Sequence, residues 1–320
     1  MRVFMVGATG TIGRATVRAL LRHGHEVVCF VRPQPGNGSP TPFPGATVRV
    51  GDVTSPASLS QAGFQGERFD ALVSCLASRT GAPKDAWAID HQAQLNVLNA
   101  AKAAGVQQVV LLSAICVQKP KLAFQQAKLA YEKELVASGL NYSIVRATAF
   151  FKSLSGQVER VQRGKPFLVF GSGQLTACKP ISDDDLGDYL AGCLSDATRH
   201  RRILPIGGPG DAITPRQQGE ALFALLGRTP RFKAVPVALL DVIIATLGML
   251  GRVLPPLAAK AELARIGRYY ATESMLVWDE AAGRYDAAAT PSHGTHTLVG
   301  HYRALLSGEQ QNERGEHAVF

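Results

Sequence analysis

Three glycines at intervals of three, in Gly7-Ala8-Thr9-Gly10-Thr11-Ile12-Gly13, follow the apolar run Val3-Phe4-Met5-Val6 and open the helical pattern Ile12–His23. A strand, a glycine turn and a helix in that order make a cradle for an anion. Gly7 allows the tight turn, Gly10 lets the backbone approach a diphosphate, Gly13 lets the helix pack on the strand, and the helix N-terminus adds positive potential. The predicted contacts to a dinucleotide's phosphates are Gly7, Thr9, Gly10, Thr11, Ile12 and Gly13. At the end of the next apolar run the chain reads Phe30-Val31-Arg32, where an NAD site would offer an acid to the ribose hydroxyls. A guanidinium there suits a 2′-phosphate by charge and by forked hydrogen bonds, which points to NADP(H). Asp52 and Val53 end the third run, at the place of the adenine. Cys75, Leu76 and Ala77 end the fourth, where small side chains admit adenine and ribose.

These residues need a frame that brings strand ends together. Arg2–Val6, Glu26–Val31, Thr47–Val50, Ala71–Ser74, Gln108–Ser113 and Tyr142–Ala147 read as strands, most of them separated by helix-period segments. That alternation predicts an α/β fold with a doubly wound parallel sheet of the Rossmann type. Continuous apolar runs such as Val109-Val110-Leu111-Leu112 fit strands covered on both faces. Pro33–Gly45 is predicted to be a loop. Beyond about Phe150 the pattern weakens to a turn at Gly171-Ser172-Gly173, an edge strand at Lys179-Pro180-Ile181-Ser182, a helix capped near Ser182 and a strand at Ile203–Ile206. The expected division is an NADP(H)-binding domain over 1–150, with its sheet completed by parts of 176–210. A smaller, mostly helical substrate lobe covers 151–308, and a polar, disordered tail covers 309–320. The apolar stretch Ala234–Gly251 is interrupted by Asp241 and is marginal for crossing a bilayer. It is read as a buried helix, with a helix lining an apolar cleft or lying on a membrane surface as the alternatives.

Composition narrows the partners only partly. The 320 residues are 46% hydrophobic and 18% charged, as in ordinary globular proteins, and carry a net charge of +9. That charge favours acidic small molecules, anionic membranes or nucleic acid without choosing among them. The basic residues are spread out and show no helix-turn-helix or zinc-finger spacing, so nucleic-acid binding is not expected. Cys29, Cys75, Cys116, Cys178 and Cys193 are odd in number and scattered, which predicts reduced thiols. His293, His296 and His301 lack metal-site spacing, and no protein metal site is expected. The apolar run begins at Val3, without a charged stretch and a secretory segment before it; this predicts a cytoplasmic protein, with peripheral membrane contact left open.

Taken together, the glycine motif, Arg32 and the later strands resemble the atypical short-chain dehydrogenase/reductases, including their NmrA-like and isoflavone-reductase-like groups. That resemblance implies a catalytic serine at the end of the fifth strand, which Ser113 fits, and a Tyr-x-x-x-Lys on the next helix. The chain reads Phe124-Gln125-Gln126-Ala127-Lys128, with the lysine kept and the tyrosine replaced. Carbonyl reduction leaves an alkoxide that needs a nearby proton, and Phe124 has none to give. Ordinary ketone reduction is therefore not expected.

Longer strings are more specific: Ser74–Gly81, Leu111–Pro120, Phe124–Leu129, Thr148–Leu154 and, more loosely, Tyr269–Leu276. In these the chain is similar to the NADPH-dependent divinyl chlorophyllide and protochlorophyllide 8-vinyl reductases. The resemblance implies reduction of the 8-vinyl group of a magnesium tetrapyrrole to ethyl, in chlorophyll or bacteriochlorophyll biosynthesis. Hydride addition to a vinyl conjugated with a macrocycle leaves charge that the macrocycle delocalises, so a strong acid is dispensable. The resemblance makes Lys128 the catalytic residue that bonds the nicotinamide ribose and helps relay the proton. It puts Ser113 at the edge of the nicotinamide pocket and Ala149 and Phe150 beside the nicotinamide, with Phe150 or Phe151 packing on the ring. Tyr131, on the Lys128 face of its helix, is a lesser proton-donor candidate. The magnesium arrives with the substrate, whose pocket should be wide, apolar and rimmed by cations, supplied by the Val235–Leu257 region, Arg265, Arg268, Tyr269 and Tyr270. Two rival readings stand beside this one: an NmrA-like NADP(H) sensor without turnover, and a reductase of another conjugated alkene. The sequence does not indicate an oligomeric state.

Overall fold

A computed structural model of the chain describes residues 1–33 and 43–310. Most of the predicted Pro33–Gly45 loop and residues 311–320 of the predicted tail lie outside the described residues. The main sheet is built from β1 (Arg2–Val6), β2 (Glu26–Val31), β3 (Thr47–Val50), β4 (Ala71–Ser74), β5 (Gln108–Ala114) and β6 (Asn141–Ala147). After the short β7 (Phe167–Phe170), it is completed by β8 (Arg202–Ile206). The order across the sheet is β3-β2-β1-β4-β5-β6-β8. The pairings from β3 through β6 are parallel. β8 joins in the same sense, with Arg201 N–H donating to Tyr142 O and Thr148 N–H donating to Ile206 O. This is the doubly wound arrangement that the alternation of apolar runs predicts, with the order reversing at β1 and β4. β4 is buried at every position and β1 and β5 at nearly every one, as continuous apolar strands require.

The chain divides into two compact units, one made of 1–78, 83–147 and 183–205, the other of 79–82, 148–182 and the residues from 206 onward. In the first, Phe4 stacks on Phe64 at 3.9 Å and meets Phe69 edge-on at 5.2 Å, with Phe30 at 5.9 Å. These rings lock β1 and β2 to the segment before β4. The helix Asp183–Gly192 lies so close to the helix Thr11–Arg22 that a Cβ on Gly187 would stand 2.7 Å from the Ala15 carbonyl carbon.

In the second unit β7 pairs in parallel with β9 (Phe232–Val235), and β10 (Val277–Asp279) with β11 (Arg284–Asp286) form an antiparallel hairpin. Phe151, Phe167, Leu222, Phe223 and Tyr302 fill its core. The helix Pro215–Leu225 starts in a reciprocal cap, Thr214 N–H donating to Gln217 Oε1 at 2.8 Å and Gln217 N–H to Thr214 Oγ1 at 3.3 Å.

Two expectations change here. The edge strand at Lys179–Ser182 shrinks to a single bridge, Phe150 with Ile181, because Pro180 has no N–H for a ladder. The stretch Ala234–Gly251 is not a buried helix: after the end of β9 it forms the helix Val237–Leu250, none of whose residues is buried. That helix pairs with Pro255–Thr272 along one side only, while its apolar residues surround the whole axis. No helix among the described residues is long and apolar enough to cross a membrane.

All five cysteines are free, and four of them are buried. Burial pushes the Cys29, Cys75 and Cys178 thiols up to about 12 and Cys193 to about 11, from an ordinary value of about 9. Cys75 is half-exposed as a residue, but its Sγ sits 3.8 Å from the hydroxyl of the fully buried Thr16. A folded pKa above the unfolded one means that the native state holds its protons longer. The associated stability is fully present below about pH 9 and is lost as pH rises through the folded values. Urea midpoints should therefore decline from about pH 9 to pH 12, and the decline should be shallower in Cys29→Ala/Cys178→Ala. A flat profile over that range would contradict the buried-thiol assignment.

Candidate active site

The glycine turn is held by backbone meeting backbone. Gly7 has φ 77°, and a Cβ there would stand 2.4 Å from the Cys75 carbonyl carbon and 2.7 Å from Leu76 N. A Cβ on Gly13 would stand 2.0 Å from Gly7 O, a distance no side chain survives. Gly10 differs, since its Cβ would meet only Gly7 O, at an ordinary 3.5 Å. Gly7 and Gly13 therefore serve the fold, whereas the surface over Gly10 is open. Gly10 caps the helix Thr11–Arg22 without a side-chain bond, and the first turn carries no acid. It carries a base instead: Arg14, whose Nη1 donates to Thr9 O at 3.2 Å. Sequence reasoning passed over Arg14, although a cation in the first helical turn runs against the helix dipole and is itself a signal for a bound anion. An acid-free turn, a cradle that Cβ atoms would fill and a nearby guanidinium fit a diphosphate.

The remaining cofactor candidates of the first unit lie at strand ends, as expected. Arg32 is exposed one residue beyond β2. Both oxygens of Asp52 are occupied by Thr54, its N–H at 2.8 Å and its hydroxyl at 2.8 Å, so Asp52 shapes its own turn. The side chains of Ile12 and Val53 are buried, leaving only their backbones to face a ligand. Cys75 N–H donates to Val6 O at 3.0 Å, which ties the tail of β4 to the end of β1.

That tail, Cys75 to Ser78, is gripped at its far end by a residue absent from the sequence-based candidates. Asp90 lies on a π-helical turn, Trp87–Ala93, and is fully buried. Its Oδ1 accepts from Ser78 N–H at 3.1 Å and from Lys128 Nζ at 2.9 Å, while Oδ2 makes no hydrogen bond to the protein. One turn on, Gln94 accepts from Ser74 Oγ at 2.8 Å. Lys128, only 13% exposed, is thus aimed by a buried carboxylate. Gln125 Oε1 secures the start of the lysine's helix, Ala123–Ala137, by accepting from Lys121 N–H at 2.7 Å and Leu122 N–H at 2.9 Å. Phe124, in the tyrosine position, is buried.

Ser113 enters a second buried network. Its hydroxyl donates to Glu132 Oε1 at 2.5 Å, and Glu132 Oε2 pairs with Arg146 Nη2 at 2.5 Å. The serine's proton is therefore committed, and it can offer a ligand only its lone pairs. Tyr131 is corrected to a core residue. It packs with Leu135 and Ile144, its hydroxyl has no hydrogen-bond partner, and burial pushes its ionisation well up. A phenol so enclosed does not deliver protons.

Ala149 and Phe150 belong to the second unit, where Ala149 O accepts from Ile181 N–H at 2.9 Å and Phe150 is half-buried. Phe151 lies in that unit's core, 5.4 Å from the His301 ring, which leaves Phe150 as the aromatic able to meet a ligand. The substrate pocket is expected to draw on Val235–Leu257 and Arg265. Those residues contribute to a cleft of about 460 Å³ lined by Ile244, Ala245, Gly248, Met249, Arg252 and Arg265. Arg268 is spent on Asp241, and Tyr269 is buried beside the more exposed Tyr270.

Comparison with known proteins identifies the family and the fold. The model of an NAD(P)H-binding family matches residues 7–197. The NADPH-dependent quinone oxidoreductase QOR2 of Escherichia coli, solved with NADPH, superposes with a TM-score of 0.69 at 20% identity, covering 95% of this chain and 99% of its own, a likeness of fold. The divinyl chlorophyllide a 8-vinyl-reductase of Oryza sativa subsp. indica is 48% identical over 99% of this chain and 82% of its own length. That of Arabidopsis thaliana is 44% identical over 99% and 79%. Identity of that order, sustained from end to end, establishes that the chain belongs to the divinyl chlorophyllide a 8-vinyl-reductase family.

Proposed function

We propose that the chain reduces the 8-vinyl group of divinyl chlorophyllide to ethyl with NADPH as the reductant. The observation that carries this reading is the full-length identity to proteins named for that reaction. It is supported by a site that keeps Lys128 but buries a phenylalanine where a carbonyl reductase needs its acid. When bound, NADPH supplies the hydride. The backbone of Thr9, Gly10, Thr11 and Ile12 receives the diphosphate with Arg14 beside it, and Arg32 selects the 2′-phosphate. Cys75, Leu76 and Ala77 border the adenine and ribose, Asp52 and Val53 the adenine, and Ala149 and Phe150 the nicotinamide. Lys128 holds the ribose and a mobile proton, Asp90 orients the lysine, and Ser113 accepts a hydrogen bond at the pocket edge. The substrate lobe expected over 151–308 takes the pigment.

Mixing protein, NADPH and divinyl chlorophyllide should shift the Soret band to shorter wavelength as a conjugated vinyl is lost. An unmoved band with bound NADPH would mean a sensor instead of an enzyme. In the same assay Arg32→Ala should raise the KM for NADPH roughly tenfold or more and leave NADH use unchanged, the loss expected for a charged hydrogen bond worth about 1.5–3 kcal/mol. Equal use of both cofactors by the unmutated protein would defeat the Arg32 role.

The glycines separate fold from binding. Gly13→Ala should lower the melting temperature sharply, because the added methyl meets backbone. Gly10→Ala should melt normally yet lose most NADPH affinity, measured by fluorescence titration. Normal affinity in Gly10→Ala would remove the diphosphate from that turn.

Asp90 and Lys128 are best tested as a pair. Breaking a buried ion pair from one side costs about 3–5 kcal/mol, whereas neutralising both partners is nearly free. Asp90→Asn and Lys128→Met should each lose stability and turnover, while the double variant should regain most of the stability and remain inactive. Recovered turnover in the double variant would reduce the pair to a structural role.

A further inference from the structure

The helix Val237–Leu250 and the turn after it form the most apolar surface of the second unit. Its inner residues face the helix Pro255–Thr272. On the outer side Leu239, Val242, Met249, Leu250, Val253 and Leu254 are all exposed, Val242 by 61%, Met249 by 66% and Val253 by 80%. Most follow one another at helical spacing, so they make a stripe along the axis rather than scattered side chains. At 14 residues the helix is about 21 Å long, too short to cross a bilayer but suited to lying in its surface.

The charges around the stripe have one sign to spare. From 237 to 272 the chain carries two acids and four bases. Asp241 is paired with Arg268 and Glu262 with Arg265, so Arg252 and Lys260 are positive charges that no carboxylate of the hairpin matches. Arg252 lies in the apolar turn itself, between Leu250 and Val253. With Arg265 it edges the cleft formed with Ile244, Gly248 and Met249, next to the apolar stripe. A stripe for acyl chains beside a cleft edged by the Arg252 guanidinium, which no carboxylate of the hairpin matches, suits an anionic lipid with its tail on the stripe and its phosphate at Arg252.

We propose that this helical hairpin docks the protein on the surface of an anionic bilayer, with Val242, Met249 and Val253 entering the acyl layer and Arg252 receiving lipid phosphate. The full-length chain should float with vesicles of phosphatidylcholine and phosphatidylglycerol, and at least about tenfold less with phosphatidylcholine alone, since polybasic attraction adds to apolar insertion. Val242→Ser/Met249→Ser/Val253→Ser should abolish flotation, and Arg252→Glu should reduce it on anionic vesicles. Both variants should keep wild-type melting temperature and NADPH uptake, because every altered side chain is exposed. Failure of the unmutated chain to float, or equal flotation on neutral and anionic vesicles, would overturn the proposal. So would a wild-type dimer that the serine variant splits in sedimentation velocity while flotation is unchanged, which would make the stripe a contact between copies. A serine variant that floats normally but needs far more pigment for half-maximal rate would assign the stripe to the substrate, and would overturn it too.

Discussion

Everything at the cofactor end rests on a contact that only glycine permits. Gly7 turns with φ 77° against the backbone of Cys75, and Gly13 brings the first helix against Gly7 O. These approaches place the end of β1, the tail of β4 and the N-terminus of a helix within one backbone thickness of each other. Cys75 N–H adds a hydrogen bond to Val6 O. From there the same tail runs four residues to Ser78, whose N–H is held by Asp90, and Asp90 holds Lys128. The lysine is thus registered to the phosphate cradle through one short, doubly pinned strip of main chain. A change at either end is felt at the other, because close-packed backbone transmits displacement instead of absorbing it.

The buried charges follow a consistent logic. Lys128 and Glu132 stand one turn apart on one helix, and each is paired with a charge from elsewhere in the first unit, Asp90 and Arg146. Buried ion pairs roughly break even against apolar replacements, so stability alone does not account for two of them side by side. Phe124 occupies the preceding turn, where it brings no dipole. The result is a lysine whose carboxylate partner keeps a second oxygen unused by the protein, on the same helix as the glutamate to which Ser113 donates. Such a site is divided: a lysine oriented by a buried carboxylate, and no phenol in the tyrosine position to protonate a carbonyl. That division suits a conjugated alkene, whose charge spreads into the ring that carries it.

Much of this was legible in the sequence, for reasons that differ from residue to residue. The strands were readable because covered parallel strands are uniformly apolar, and the glycine turn because its spacing has few other uses. Asp90 was not readable. A carboxylate on a helical segment normally faces water, and here a π-helical turn rotates it inward. Glu132 was hidden likewise, since its partner Arg146 is remote in sequence and lies on a strand. Tyr131 misled because a helix has more than one buried side, and spacing from Lys128 does not say which side meets the core. The helix Val237–Leu250 misled in the opposite direction. Its hydropathy promised burial, but a helix apolar all round needs cover on every side, and one neighbouring helix supplies only part.

The net charge of +9 can now be given local destinations. On the first unit, Arg14 stands in the first turn of a helix and Arg32 beyond a strand end, the two places where the proposed function puts phosphates. On the second, Arg252 and Lys260 exceed the acids of an apolar hairpin. Elsewhere many of the bases are matched: Arg2 and Arg49 share Glu67, Arg18 meets Asp184, and Arg199 meets Asp196. Surface pairs of that kind contribute little to stability, but they cancel the field at a distance. The two proposals therefore draw on different units of the chain, the dinucleotide on the first and the anionic bilayer on the second.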